Sequence, residues 1–191
     1  MIYFVGGAPR VGKSILCQHI AAKLAIGWIS TDLLKEILRI QAAEMTSVLW
    51  NQPATIVATA EWFFPFLERF VWGVNSTAEH YAIEGVDFLP AQVAQISAHY
   101  PIRCVFLGCS EMTLERFEHF PGRSPGYIGL PADRRRQIVQ HVPMHSELVQ
   151  RETERFGYPY IDMVGDFQTR LSEADAALTA SAARGVQDGE Q

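Results

Sequence analysis

The chain opens on an apolar run, Ile2–Val5, and four more short runs of the same kind follow it: Trp28–Ser30, Tyr81–Glu84, Ile102–Leu107 and Tyr160–Ile161. Runs of this length read as strands buried on both faces. Between them lie stretches with helical patterning: Lys13–Ala25, Asp32–Ile40, Thr55–Val74, Pro90–His99 and Arg134–Phe156. Alternating strands and helices predict a parallel sheet covered on both faces. Ligands of such sheets gather at the carboxyl ends of the strands, so residues that carry chemistry are expected directly after them.

Two regions break the alternation. Residues 41–75 are long and aromatic-rich, ending in AEWFFPFLERFVWG, and Pro65 is expected to kink the helix there. Residues 119–133, HFPGRSPGYIGLPAD, read as a loop because proline and glycine punctuate them. The tail from about Ala174 is alanine-rich and then polar, which predicts a last helix fraying by Gly185.

Composition narrows the picture only a little. A chain of 191 residues, 48% hydrophobic, fits one domain of about residues 1–173 with a short lid and a terminal tail. The formal charge of −5 gives no basic footprint for nucleic acid. Cys17, Cys104 and Cys109 show neither a disulfide framework nor zinc spacing, so a reducing cytosol is the expected home. No signal peptide is legible, and no apolar run reaches the length of a membrane span.

The sharpest signal follows the first strand. Gly7-Ala8-Pro9-Arg10-Val11-Gly12-Lys13-Ser14 matches G-x-x-x-x-G-K-[ST] at every fixed position, with a strand before it and a helix after it. Glycines let the backbone curl so that successive N–H groups face phosphate oxygens, and the following helix adds its positive end. Lys13 is placed to reach the β- and γ-phosphates, and Ser14 to ligate Mg²⁺. The loop is expected to hold a nucleoside triphosphate. An Asn-Lys-x-Asp guanine-reading motif and a transporter Leu-Ser-Gly-Gly-Gln signature are both absent from the sequence.

Two further stretches follow strands: ISTDLLKEILR at 29–39 and IEGVDFLP at 83–90. Together with GGAPRVGKS, the chain resembles the P-loop small-molecule kinases of the nucleoside-monophosphate-kinase-like fold. It is most similar to the kinase core of 2-phosphoglycerate kinases, with gluconate and shikimate kinases more distant. The likeness is good over residues 1–40 and 80–110 and holds only in outline elsewhere. It implies a three-layer α/β/α sandwich around a five-stranded parallel sheet with a short lid, using ATP and Mg²⁺ on a small-molecule acceptor.

The resemblance also implies roles. Asp32, after the second strand, would face the acceptor and take or orient its hydroxyl proton; the plain alternative is a helix cap. Glu84 ends the third strand where an acid near Mg²⁺ is expected, although glutamate replaces the usual aspartate, and Asp87 lies close enough to take part. Of the 16 basic residues only Lys13, Lys23 and Lys35 are lysines, and Arg116, Arg123, Arg134, Arg135 and Arg136 flank the glycine- and proline-rich loop. Arg116 would stack on adenine and Arg123 would reach the phosphates from the lid, while Arg134–Arg136 also read as a solvated helix turn. The turn Met163–Phe167, with Gly165 and Phe167, would contact the base, and Cys17 on the first helix is assigned to the nucleotide side as well.

Less is legible about the acceptor. The rings Trp50, Trp62, Phe63, Phe64, Phe66, Phe70 and Trp72, with Arg39 and Arg69 nearby, fit an acceptor wall or ordinary helix packing. His141 and His145 stand four apart without a metal motif around them. Two alternatives stay open beside a kinase of unassigned acceptor. One is a nucleotide, nucleoside or antibiotic phosphotransferase, and the other is a non-catalytic nucleotide-binding regulator.

Overall fold

The five apolar segments pair in parallel in this computed structural model, which describes residues 1–38, 40, 52–77, 80–119 and 129–180. The strands are β1 (Ile2–Gly7), β2 (Gly27–Ser30), β3 (Tyr81–Glu84), β4 (Ile102–Gly108) and β5 (Tyr160–Asp162), in the order β2-β3-β1-β4-β5. The helices are α1 (Lys13–Leu24), α2 (Thr31–Leu38), α3 (Pro53–Ser76), α4 (Pro90–Ser97), α5 (Leu114–His119), α6 (Ala132–Phe156) and α7 (Phe167–Ala180). A five-stranded all-parallel sheet flanked by helices is the fold that the alternating pattern predicts.

Both faces of the three central strands are largely dry, which is why they read as continuous apolar runs. Ile2, Phe4, Ile83, Cys104 and Phe106 point to a core shared with Ile56, Phe63, Leu67 and Val71 of α3 and Val93 of α4. Val5, Ala82, Val105 and Leu107 point the other way, to Leu16, Cys17 and Ile20 of α1 and Ala174 and Leu178 of α7. Phe88 stands edge-on to Phe4 at 5.2 Å and to Phe106 at 6.2 Å, tying the segment after β3 to the central strands.

The register decides what meets at the carboxyl edge. Val5 and Ser30 both lie opposite Glu84, and Gly7 lies opposite Leu107. Three turns therefore leave the sheet side by side: the loop after Gly7, the turn into α2 and the turn after Glu84. The chain runs from β1 to β2 on one flank and later to β4 on the other, so this edge is the point at which the strand order reverses.

Gly7 makes the exit from β1 possible. Its φ of 122° suits glycine, and a Cβ there would stand 1.9 Å from the Leu107 carbonyl oxygen. The close approach lets the Ala8 N–H donate to that carbonyl at 3.0 Å.

Two details differ from the sequence reading. The short helix α5 has no counterpart in it, because six residues are too few to show a period. The last helix begins at Phe167, well before the alanine-rich stretch, because Asp166 caps it: the Asp166 carboxylate accepts from the Thr169 N–H at 2.8 Å and the Thr169 hydroxyl at 2.7 Å. Helix α3 runs on through Pro65 without ending. The expected fraying by Gly185 lies outside the described residues. Among the described residues no helix is long and apolar enough to cross a membrane.

Helix α3 sorts its rings by burial. Phe63 is wholly buried, Phe66 is 41% exposed and Trp72 is 48% exposed beneath the Arg69 guanidinium, which lies 3.9 Å from the ring centroid. Phe63→Ala is expected to cost about 3–5 kcal/mol in urea denaturation, and Phe66→Ala well under half of that. Equal losses at the two positions would contradict this placement of the helix.

Candidate functional site

A cleft of about 1100 Å³ lies over the carboxyl edge of the sheet. Its floor is the loop Pro9–Ser14. Asp32 and Glu84 form one side, and Arg116, Met163, Gly165 and Phe167 form the other.

The loop is closed on itself. Lys13 is buried, and its Nζ donates to the Ala8 carbonyl at 2.6 Å. Gly12, with φ of 95°, caps α1, and its carbonyl accepts from the N–H groups of Ile15 and Leu16. A Cβ at Gly12 would meet the Phe167 ring at 2.9 Å, so the ring lies directly on the loop. No acidic residue stands in the first turn of α1, leaving its positive end to face the cleft. Arg10 also takes a left-handed φ of 68°, which costs a non-glycine residue about 1 kcal/mol. Burial pushes the Lys13 pKa down, while the charges of Glu84, Asp32 and Asp87 pull it back up.

Two oxygens meet beside the loop. The Ser14 hydroxyl donates to Glu84 Oε1 at 3.0 Å. Glu84 is buried at the end of an apolar strand, a costly place for a carboxylate that has no partner. A hydroxyl and a carboxylate beside this loop are hard oxygen donors of the kind Mg²⁺ takes, so the residues present fit that ion.

Asp32 lines the cleft with its carboxylate two-thirds exposed. It sits in the first turn of α2, which starts at Thr31. Here the Ser30 hydroxyl accepts the Asp32 N–H at 3.3 Å, so serine does the capping that was the alternative role for Asp32. Lys35 Nζ lies 3.5 Å from Asp32 Oδ1 and 2.8 Å from Asp87 Oδ1. Asp87 is 1% exposed, and its other oxygen accepts from the Thr31 hydroxyl at 2.7 Å. Burial pushes the Asp87 pKa up, against the pull of the Lys35 ammonium and the two hydrogen bonds it receives. Thr31 and Lys35, four apart on α2, thus hold Asp87 from one helical face. Lys35 was missed in the sequence; the available signal was its spacing from Thr31 and Asp32 together with an acid after the third strand.

The far wall is built on α5. The Arg116 guanidinium donates to the Met163 carbonyl, and the Arg116 N–H donates to the Thr113 hydroxyl at 3.1 Å. The Arg10 guanidinium lies 4.6 Å from the centroid of the Phe117 ring.

Several expected residues stand elsewhere. Cys17 does not reach the cleft: it shares the sheet-facing side of α1 with Leu16 and Ile20 and is wholly buried, and burial pushes its thiol pKa far up. Gly7 and Ala8 shape the loop from beneath without lining the cleft. Arg134 donates to Gln137, and Arg135 pairs with Glu118 at 2.6 Å; neither they nor Arg136 line the cleft. None of the described rings of α3 lines it either. Arg123, Arg39 and Trp50 lie outside the described residues.

His141 and His145 stack edge-on at 5.8 Å, and no cluster of three metal-ligating side chains occurs among the described residues. Burial, with the Lys13 and His141 charges adding to it, drops the His145 pKa to about 3.

No protein-family model matches the sequence, and no curated protein matches it. Solved structures do resemble the fold. A gluconokinase from Sinorhizobium meliloti superposes with a TM-score of 0.53 at 16% identity, over 94% of this chain and 91% of that one. A shikimate kinase from Bacteroides thetaiotaomicron gives 0.54 at 15% identity, over 94% and 97%. A sugar kinase from a Janibacter species gives 0.53 at 11% identity, over 95% of each chain. The likeness is one of fold: a five-stranded all-parallel sheet flanked by helices, as in these kinases.

The buried charges set two expectations. Lys35→Met strands the Asp87 carboxylate and should cost about 3–5 kcal/mol at neutral pH, most of it recovered in Lys35→Met with Asp87→Leu; urea titration checks both. His145 is held neutral when folded and takes a proton more readily when unfolded. Its contribution is therefore complete above the unfolded histidine pKa of about 6.5 and is lost as pH falls toward about 3. Across that window His145→Gln should flatten the fall in stability by close to one proton per molecule, read from denaturation midpoints at several pH values.

Proposed function

We propose that the chain is an ATP- and Mg²⁺-dependent kinase that moves the γ-phosphate to the hydroxyl of a small molecule. One observation carries the reading. The phosphate loop, the Ser14–Glu84 oxygen pair and the exposed Asp32 carboxylate, braced by Lys35, converge on one cleft at the sheet edge where the strand order reverses.

In this reading the N–H groups of residues 9–14 and the Lys13 ammonium hold the triphosphate. Ser14 and Glu84 would hold Mg²⁺, which when bound would offset the negative charge of the phosphates. Asp32 accepts the acceptor's hydroxyl proton as that oxygen attacks the γ-phosphorus, and ADP leaves. Lys35 is a positioning residue: it fixes the Asp32 carboxylate through its anchor on Asp87. Arg116 and the Met163–Phe167 turn, with Gly165, flank the adenine. Arg123 is assigned to the phosphates by resemblance alone.

The acceptor class follows the same resemblance. Three stretches, GGAPRVGKS, ISTDLLKEILR and IEGVDFLP, are similar to 2-phosphoglycerate kinases, and the structural likeness is to kinases of small hydroxylated acids and sugars. A small hydroxylated metabolite, with 2-phosphoglycerate first in the panel, is the acceptor to try.

Lys13→Ala and Asp32→Asn separate the two halves of the site. Both should reduce acceptor-stimulated ATP consumption by about 10²-fold or more, the scale of one positioned acid–base or phosphate-binding group. Only Lys13→Ala should also weaken ATP binding. A folded Asp32→Asn protein with undiminished transfer would remove the role given to Asp32.

A further inference from the structure

Arg10 is not explained by the phosphate loop alone. The loop takes a left-handed backbone at residue 10, which glycine would adopt freely. The sequence places an arginine there instead and holds it in the disfavoured conformation. Such outliers point to function when the surroundings keep them in place. One contact that holds it is a ring: the Arg10 guanidinium stacks over Phe117, itself buried at 3% exposure.

Phe117 sits in α5, a helix of six residues and too short to stand on its own. The structure ties it down at three successive positions. Arg116 reaches across to the Met163 carbonyl in the turn after β5, Phe117 packs under Arg10 of the phosphate loop, and Glu118 pairs with Arg135 of α6 at 2.6 Å. Arg10, Arg116, Phe117 and Met163 all line the same cleft. The Arg10–Phe117 contact is thus a direct link between the phosphate floor and the helix that carries Arg116.

We propose that Arg10 is a positioning residue: by stacking on Phe117 it locks α5, and with it Arg116, onto the phosphate loop, so that the nucleoside end of the ligand is gripped in register with the phosphate end. This rests on the reading of the cleft as a nucleotide site. Arg10 acts through the ring, not by touching phosphate, and the two possibilities differ in what they do to a ligand that has no base.

Calorimetric titration with Mg²⁺–ATP and, separately, Mg²⁺–tripolyphosphate decides it, with thermal unfolding run on each protein. Arg10→Gly relieves the backbone and should melt no earlier than the parent, yet bind ATP about tenfold more weakly, a loss on the scale of one cation–π contact. Its affinity for tripolyphosphate should stay within about twofold, since the loop N–H groups and Lys13 are intact. Phe117→Leu should show the same split, and the double variant should bind ATP no more weakly than either single one, as expected when both remove one contact. Should Phe117→Leu fail to fold, the ligand split in Arg10→Gly decides alone. Equal weakening of ATP and tripolyphosphate would make Arg10 a direct phosphate ligand and overturn the proposal, as would additive losses or unchanged ATP affinity. A parent protein that binds neither ligand overturns the nucleotide reading and this inference together. One that binds ATP but phosphorylates no acceptor overturns the kinase reading and leaves the coupling to stand on the ATP and tripolyphosphate affinities.

Discussion

The parallel pairing of β1 between β3 and β4 is the constraint on which the site depends. It puts Val5 opposite Glu84 and Gly7 opposite Leu107, and Ser30 follows because β2 pairs with β3 in the same register. A slip of one residue in any of these strands would turn Glu84 away from Ser14 and drive apolar side chains off their core. The two cores, one on each face, make such a slip costly, so oxygen atoms 70 residues apart in sequence meet at 3.0 Å. Burial on both faces is thus what aims the polar groups at the edge.

The polar groups, in turn, are arranged in layers. Nearest the cleft are Asp32 and the Ser14–Glu84 pair. Behind them lie the buried Lys35 and Asp87, which make little sense as a source of stability, since an apolar pair of similar size would serve as well. They make sense as a brace: Lys35 spans 3.5 Å to the exposed carboxylate and 2.8 Å to the buried one. An exposed aspartate at a helix start would otherwise be free to change rotamer. On the proposed kinase reading such a brace has a use, because phosphoryl transfer depends on position and charge more than on covalent chemistry.

Much of this was legible in the sequence. The central strands appear as apolar runs because both their faces are buried, and Gly7–Ser14 is legible because its two glycines and its Lys-Ser pair stand at the spacing of a known motif. Glu84 stood out as an acid closing an apolar strand. Other features were hidden for physical reasons. Lys35 looks like any helical lysine until the fold brings Asp87 beside it. Cys17 is near the loop in sequence, but its place on α1 turns it to the sheet. Helix α5 is too short to show a period, and the stacking of Arg10 on Phe117 joins two segments that only the tertiary structure brings together. The rings of α3 carried two readings, and the described ones pack against the core or lie at the surface without reaching the cleft.

On the proposed reading, this cleft transfers a phosphoryl group to a small organic hydroxyl. The most direct measurement follows the label from ATP marked at its γ-phosphate, with Mg²⁺ and a panel of hydroxylated acids, sugars and nucleosides, using Lys13→Ala as the control. Label is expected on one class of organic acceptor, and on none with the control protein. ATP bound tightly while the label stays on ATP, whatever acceptor is supplied, would contradict the reading and point to a nucleotide-dependent switch.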